Sequence, residues 1–573
     1  MNYCFNNKCF AILILLTFFS IRLNAQKAPS SSLVSSSPKC PSWVPDAVFY
    51  EIYPQTFSDT DGDGIGDLKG IIQNLRYVKS LGVSAIWLNP FYESPFRDAG
   101  YDVSDFYKVA ARYGTNEDAK KLFQEAHELG LKVIIDYVPG HTSIDHPWFK
   151  ASASAKPNKY SNWYVWTNNT WDNGGSEFAG KMIQGFSERN GNFMTNYFWH
   201  QPALNFGFGK VDPKKPWQLP ANHPDVRELK DEMKNVLKYW LDMGADGFRI
   251  DMAGSLTKND QGSLECIKWW KEVREMLDTQ YPNAFIVSEW SHPPAALEGG
   301  FHADYLHWIA EYENLFRKEQ SRSLNGVSPD GYSYFDQKGM GDISAFMNVY
   351  LKQLEETKSK GFISIPVGNH DLSRITNNRS KEDLEIIYAF LMTMPGVPFF
   401  YYGDEIGMKQ LLIENAKEGC YKPRAGARTP MQWNTSNNAG FSAASSEKLW
   451  LPIDSDPLRP TVQTALNNPT SIWYRTKHLI ELRRKEKALY AQADFKVLYM
   501  EKDKYPFIYS RSLGNEKIIV ALNPSGKELS VEIPLKIKGK LELLSGTPSI
   551  LNTTGDKTML TMKGVSYSIY KLK

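Results

Sequence analysis

From residue 47 onward, short apolar runs alternate with stretches whose apolar positions recur at helical spacing. The runs Ala47–Tyr53, Val83–Asn89, Lys132–Val138, Gly247–Met252, Phe285–Glu289, Ile363–Val367 and Val397–Tyr401 predict strands, and Ala303–Trp308 predicts a weaker one. Between them Asn116–Leu129, Asp225–Leu241 and Gly262–Leu277 carry helical patterns. Seven or eight strands alternating with helices over more than 400 residues imply an α/β fold, a parallel (β/α)8 TIM barrel with insertions. An open doubly wound sheet is the competing arrangement. No Gly-rich dinucleotide turn follows the first strand, which disfavours it.

The pattern breaks at three places. Residues 1–25 read as a cleavable secretory signal: Lys8, a short apolar run from Cys9 to Ile21, then Leu23, Asn24 and Ala25. That implies a secreted or periplasmic protein. No second apolar stretch approaches transmembrane length, so no integral membrane span is expected. Residues 26–42 are rich in Ser, Pro and Lys and read as a flexible tether. The barrel then occupies 43–488, interrupted after its third strand by 142–205, where Trp, Asn, Gly and Tyr abound and the helical period is lost. A connection that long is expected to be a functional subdomain. In 489–573 the runs Phe507–Arg511, Lys517–Leu522, Leu529–Ile533, Lys540–Leu544 and Tyr567–Leu572 predict an antiparallel β-sandwich. All ten His precede it, so it is read as structural or accessory.

Composition narrows the partners. The 573 residues hold 66 Lys+Arg and 64 Asp+Glu, a net charge of +2. Loss of the signal removes Lys8 and Arg22 and leaves 2 − 2 = 0. Neither nucleic acid nor an anionic membrane is indicated as a partner. Of five Cys, three (Cys40, Cys266, Cys420) would survive processing, and a single bridge is the most they can form. Aromatic residues make up 13% of the chain, through core packing or as platforms for a sugar ring. Tyr101 and the insertion's Trp163, Trp166 and Trp171 are expected to face substrate.

Reactive side chains of a parallel barrel gather at the C-terminal strand ends. The third strand leads from Asp136 to His141, the fourth ends Arg249-Ile-Asp251, the fifth at Glu289, and the seventh at His370 and Asp371. Two carboxyl groups about 5–5.5 Å apart can cleave a glycoside with retention, one attacking the anomeric carbon and the other protonating the leaving oxygen. Arg249 shares a strand face with Asp251 and is expected to hold it ionised. Glu289 is expected to be raised by burial and by the other carboxylates, so that it enters protonated.

A second acidic group lies after the first strand. Asp59, Asp61, Asp63 and Asp67 alternate around three Gly, a spacing of hard oxygen ligands that suits Ca²⁺, or Mg²⁺ with waters. An EF-hand is excluded because the twelfth position is Gly70 and the preceding segment is a strand. The alternative is an acidic turn that only caps the next helix. There is no zinc-type His/Cys cluster, and no organic cofactor is expected.

Taken together, DGDGIGDLKGI (61–71), GYDVSDF (100–106), DYVPGHTS (136–143), QPALN (201–205), GFRIDMAG (247–254), SEW (288–290), GNHD (368–371) and RTPMQWN (428–434) resemble the α-amylase superfamily of glycoside hydrolases. The branch most resembled is that of exo-acting α-glucosidases, oligo-1,6-glucosidases and trehalose synthases. The resemblance implies Asp251 as nucleophile, Glu289 as general acid/base and Asp371 as stabiliser of the oxocarbenium-like transition state. It implies His141 and His370 on sugar hydroxyls, Asp98 paired with Arg428 around the terminal sugar, and Tyr101 stacked on its ring. It implies one structural cation on Asp59, Asp61, Asp63, the Ile65 carbonyl and Asp67. Three departures stand out: Gly140 where Asn is usual, Ala203 where Asp is common, and Met252 at a position that helps discriminate linkages.

The function so implied is a retaining exo-α-glucosidase on short α-glucosyl oligosaccharides. The alternatives are a trehalose synthase-like isomerase or transglucosylase and, lower in order, a non-catalytic carbohydrate-binding relative. The sequence leaves the oligomeric state open.

Overall fold

Eight parallel strands form one sheet: β1 (Phe49–Ile52), β2 (Ala85–Leu88), β3 (Lys132–Tyr137), β4 (Gly247–Ile250), β5 (Phe285–Ser288), β6 (Ala303–Tyr305), β7 (Phe362–Ser364) and β8 (Phe399–Tyr401). Their order is β7-β6-β5-β4-β3-β2-β1-β8, the order of a barrel. The computed structural model describes residues 38–178, 180–185, 187–318, 331–414, 417–420, 424–537 and 539–573. The expected signal and most of the expected tether lie outside them.

Each strand is followed by a helix: α1 (Leu68–Ser80), α2 (Asn116–Glu128), α3 (Pro224–Met243), α4 (Leu264–Gln280), α5 (Pro293–Glu298), α6 (Ser344–Thr357), α7 (Lys381–Thr393) and α8 (Ile472–Lys485). The strands are buried on both faces, which explains why they read as apolar runs. Alternate residues separate the two faces. Phe49, Trp87, Ile134, Phe285, Val287, Tyr305 and Phe399 pack with one another, while Tyr50, Ile86, Leu88, Ile135, Phe248 and Ile286 belong to the larger core shared with the helices.

The end of the tether is held down. Trp43 packs its ring on Phe49 and Phe285 and donates from Nε1 to the Asn283 carbonyl at 3.0 Å. Lys39 pairs with Asp278 at 2.8 Å, and Arg274 donates to the Lys39 carbonyl. Residues 38–42 are therefore docked on α4, not slack.

Aromatic residues pack the insertion into the main core. Trp166 stacks on Phe149 at 5.7 Å and 9°, and Trp163 meets Trp148 edge-on. Trp163 and Trp166 are buried, while Trp171 is 91% exposed. The expectation of a substrate-facing position is corrected for Trp163 and Trp166, whose rings pack the insertion into the main hydrophobic core.

The C-terminal region folds as β9 (Asp494–Tyr499), β10 (Phe507–Leu513), β11 (Glu516–Asn523), β12 (Leu529–Ile533), β13 (Leu541–Gly546), β14 (Ile550–Thr554), β15 (Lys557–Met562) and β16 (Ser566–Leu572). A five-stranded sheet, β9-β10-β11-β16-β13, faces a three-stranded one, β12-β15-β14. Leu498, Ile508, Ile519 and Tyr570 meet Ile533, Leu560 and Met562 between them. Buried Arg511 on β10 donates to the carbonyls of Thr393, Tyr490 and Ala493, joining this sandwich to the end of α7. Among the described residues Cys40, Cys266 and Cys420 are free thiols, and no helix is long and apolar enough to cross a membrane.

Candidate active site

The polar residues converge just beyond the C-terminal strand ends. β4 can approach β5 only because residue 247 is Gly: at φ 146°, an added Cβ would lie 1.9 Å from the Phe285 carbonyl oxygen. That approach sets Arg249, which is fully buried, between three carboxylates. Nη1 lies 2.7 Å from Asp136 Oδ1 and 3.1 Å from Asp251 Oδ1, and Nη2 lies 2.6 Å from Glu289 Oε2. One guanidinium thus makes the expected contact with Asp251 and in addition serves the expected acid, Glu289. Burial pushes the Asp251 carboxyl up, Arg249 opposes this, and Glu289, Asp136 and Asp371 add to it.

Asp371 is in the opposite state. Burial alone would raise it, but the guanidinium groups of Arg424, Arg428 and Arg249 hold it well below the usual carboxylate range. Two guanidinium groups share its Oδ1, Arg428 Nη2 at 2.8 Å and Arg424 Nε at 3.1 Å. His370 Nε2 is 3.4 Å from Oδ2.

Beneath this triad runs a buried hydrogen-bond chain. His370 Nδ1 lies 2.7 Å from Glu51 Oε1 and 3.0 Å from Asn89 Nδ2. His370 Nε2 lies 2.7 Å from the Tyr101 hydroxyl, which also donates to Asp136 Oδ2 at 3.1 Å. Tyr101 stacks on His370 at 5.3 Å and 14°. Burial pushes the His370 imidazole well down, so it is neutral at ordinary pH.

His141 is likewise buried and pushed down to about 3 by desolvation. Its Nε2 donates to the Tyr101 carbonyl at 3.2 Å, and its Nδ1 receives Asn196 Nδ2 at 3.1 Å. The Asn196 amide also accounts for Gly140: a Cβ there would lie 2.8 Å from Asn196 Nδ2. The insertion thereby supplies an amide next to the position where the family usually has Asn.

The expected Asp98–Arg428 pair is not made. Asp98 Oδ2 accepts from Gln201 Nε2 at 2.6 Å, and Oδ1 has no hydrogen-bond partner among the described residues. Burial pushes Asp98 up to about 7, against Arg424 and Arg428. Arg428 is held elsewhere: Nε donates to the His370 carbonyl at 2.7 Å, Nη2 pairs with Asp371, and the guanidinium lies over the Tyr53 ring. A fully buried guanidinium with three fixed neighbours has little freedom to reach Asp98.

Several site residues had no sequence signal of their own. Arg424 is one basic residue in a loop, Asn196 lies in the insertion, and Trp308 closes the weakest predicted run; Gln201 opens the QPALN motif, which carries no sign of its pairing with Asp98. Trp308 Nε1 donates to Glu289 Oε1 at 2.9 Å.

The acidic loop divides unevenly. Carboxylate oxygens of Asp59, Asp61 and Asp67 lie within 4.8 Å of one another. Asp63 is outside that group and accepts from the Ile65 N–H at 2.7 Å. Of the four implied side-chain ligands, three are gathered together here. Those three hard oxygen donors fit Ca²⁺. Asp67 also caps α1 by accepting from the Gly70 N–H at 2.7 Å, so capping and cation binding draw on the same residue.

Comparison with known proteins identifies the family. Residues 51–492 match the family described as alpha amylase, catalytic domain. The chain is 31% identical over 557 residues to an oligo-1,6-glucosidase of Parageobacillus thermoglucosidasius, covering 86% of this chain and 92% of the relative. It is 30% identical over 601 residues to a trehalose synthase of Pimelobacter sp. (strain R48), covering 93% and 96%. Among solved structures, a trehalose-6-phosphate hydrolase of Bacillus licheniformis superposes with a TM-score of 0.74 at 26% identity, over 92% of this chain and 99% of that one.

Proposed function

The chain belongs to the α-amylase family of glycoside hydrolases, and from that premise we propose that it is a retaining exo-α-glucosidase, releasing glucose from the non-reducing ends of short α-gluco-oligosaccharides of maltose or isomaltose type. The observation that carries this reading is Arg249 bridging Asp251 and Glu289, with Asp371 held ionised across the pocket by Arg424 and Arg428.

In the first half-reaction an Asp251 oxygen attacks the anomeric carbon while Glu289 gives its proton to the glycosidic oxygen, and the C1–O bond breaks. The product is a glucosyl ester on Asp251. Asp371, fixed as an anion, stabilises the positive charge that develops on the sugar ring. In the second half Glu289 takes a proton from water, the water oxygen bonds to C1, and the ester bond to Asp251 breaks. Two inversions give net retention. Arg249 contacts both carboxylates throughout and so neutralises whichever is charged.

The test is a time-resolved product analysis over maltose, isomaltose, trehalose, sucrose and a maltodextrin, with the anomer followed by NMR. Initial α-glucose is expected, and initial β-glucose would overturn the mechanism. Asp251→Asn and Glu289→Gln should each abolish turnover while the protein stays folded. A second reading, an isomerase that returns the glucosyl group to freed glucose, draws on the near full-length similarity to a trehalose synthase. Trehalose formed from maltose with little free glucose would decide for it.

We propose further that Asp59, Asp61 and Asp67 hold a structural Ca²⁺, which would brace the β1–α1 loop and take no part in the chemistry. Export through the N-terminal signal is likewise proposed, and a mature chain beginning at Gln26 would bear it out.

A further inference from the structure

β6 contributes no catalytic carboxylate, yet its end is interlocked with the loop that carries Glu289. Asp304, fully buried on β6, accepts from Ser288 Oγ at 2.7 Å, from the Trp290 N–H at 3.1 Å and from the His292 N–H at 2.9 Å. These donors flank Glu289 on both sides. Ser291, held at φ 54°, returns the contact: its Oγ accepts from the N–H groups of His307 at 3.3 Å and Trp308 at 3.0 Å. Each loop fixes the backbone of the other, and together they set the Trp308 indole beside Glu289.

The two oxygens of Glu289 then have different surroundings. Oε2 faces the cationic Arg249 Nη2 at 2.6 Å and the Met252 N–H at 3.3 Å. Both are donors, so a proton placed on Oε2 would compete with a guanidinium N–H for the same space. Oε1 faces a single neutral donor, Trp308 Nε1, at 2.9 Å. Protonated Oε1 keeps a lone pair for the indole and turns its own O–H outward. His307 lies against the indole, ring centroids 4.6 Å apart, with its Nε2 3.9 Å from Oε1. It is fully buried and pushed down to about 3 by desolvation, so it brings no second cation to this oxygen. The other ionisable groups acting on this carboxyl are Asp251, Asp136, Tyr197 and Tyr305.

We propose that Trp308 is a positioning residue for the acid/base: with Arg249 and the Met252 N–H on Oε2, Oε1 of Glu289 is the oxygen that gives and takes the proton, and the indole N–H holds that oxygen in place. The inference rests on reading Glu289 as the acid/base. In the first half-reaction the Oε1 proton passes to the glycosidic oxygen as the C1–O bond breaks, and the bonding pair leaves with the departing sugar. Oε1 becomes anionic, and its bond from the indole becomes charge-assisted and stronger. In the second half Oε1 takes the proton of the attacking water and the indole bond weakens again. The donor therefore favours the state in which the proton has been delivered. Trp308 is 37% exposed, so Phe can replace it without opening a core cavity.

The test combines a spectroscopic and a kinetic arm on the full chain. In ¹⁵N-Trp-labelled protein, the indole resonance lost in Trp308→Phe identifies Trp308. That resonance should shift in Glu289→Ala, and an unchanged resonance overturns the inference whether or not the protein is active. In the kinetic arm, Trp308→Phe should lower kcat/KM on a disaccharide by about 10- to 100-fold and move the alkaline limb of its pH profile upward. On a dinitrophenyl α-glucoside, whose phenolate leaves without a proton, the loss should stay below about threefold. Ser291→Ala, which loosens the lock without touching the indole, should show the same pattern to a smaller degree. Equal losses on both substrates with an unmoved limb would mean packing alone and overturn the inference. Wild type inactive on every α-glucoside would instead overturn the α-glucosidase reading, leaving the resonance shift to decide the role of Trp308.

Discussion

Nη2 of Arg428 lies 2.8 Å from Oδ1 of Asp371, and Arg424 Nε reaches the same oxygen at 3.1 Å. Two cations on one oxygen of a largely buried carboxylate hold Asp371 as an anion. The RTPMQW loop therefore acts on the third carboxylate directly, and Asp98 is left to Gln201.

Arg428→Met tests this division. It strips one of two guanidinium groups from a buried anion, and breaking such a pair costs roughly 3–5 kcal/mol. We expect a lower melting temperature and a loss in kcat/KM of about 100-fold or more. The pH dependence has a definite sign. A carboxylate depressed in the folded state adds stability above its unfolded pKa, and that stability is lost as pH falls through the folded value. For Asp371 that value lies well below the usual range, so the wild type should show no loss from this group at mildly acidic pH. The variant should lose stability at higher pH than wild type. Thermal melts from neutral to acidic pH would show it, and superposable profiles would mean that Arg424 suffices.

Gly140 and Asn196 should behave as one unit. A Cβ at 140 meets the Asn196 amide at 2.8 Å, and that amide holds His141 Nδ1. Gly140→Ala should displace the amide and so imitate Asn196→Ala. Each loses one hydrogen bond worth about 1 kcal/mol, or about fivefold in kcat/KM. The double variant should be no worse than either single one. A product of the two losses, about 25-fold, would show the residues to be independent.

The acidic loop makes a separable prediction. Ca²⁺ bound only by the folded chain adds about 2.7 kcal/mol at a hundredfold excess over its Kd. EDTA should therefore lower the melting temperature, added Ca²⁺ should restore it, and kcat at 25 °C should not change. Asp61→Asn is the cleanest variant, because Asp61 is exposed while Asp67 also caps α1. It should make the melt insensitive to chelator. A wild-type melt already insensitive to chelator and Ca²⁺ would leave the loop as a capping turn.

What was legible in the sequence follows burial. The barrel strands are covered on both faces and read as unbroken apolar runs. β6 read weakly because Asp304 and His307 interrupt its run, and these polar residues serve the Glu289 loop. In the sandwich β9, β14 and β15 had no signal, since much of each is exposed. Asp251, Glu289 and Asp371 could be read because a parallel barrel collects its strand ends at one mouth. The partners they choose could not. Which carboxylate Arg428 meets depends on how its loop packs over Tyr53, and the positions of Asn196 and Gln201 depend on the folding of the insertion. The insertion's Trp residues misled because composition does not distinguish a platform from a core.

Asp98 gives the sharpest trade between stability and binding. Burial raises it to about 7, with Arg424 and Arg428 opposing, Asp102 adding and Gln201 opposing. An acid raised in the folded state binds its proton where the unfolded chain has released it. Stability from this group is full below the unfolded pKa near 4, declines from there as pH rises, and reaches its full loss above about 7. A shift of that size corresponds to about 4 kcal/mol. Asp98→Asn keeps an acceptor for Gln201 and removes the ionisation. It should therefore be more stable than wild type at pH 8 and little different at pH 4. Binding should go the other way. Oδ1 is buried without a partner among the described residues; under the proposed function it would accept from a hydroxyl of the terminal sugar, and an amide donor there would lose that bond. We expect KM to rise about tenfold or more with a smaller change in kcat, since a charged acceptor is worth roughly 1.5–3 kcal/mol. Melts at the two pH values together with Michaelis profiles on maltose and isomaltose check both halves. A variant destabilised at pH 8 would show that Arg424 and Arg428 outweigh the burial of Asp98.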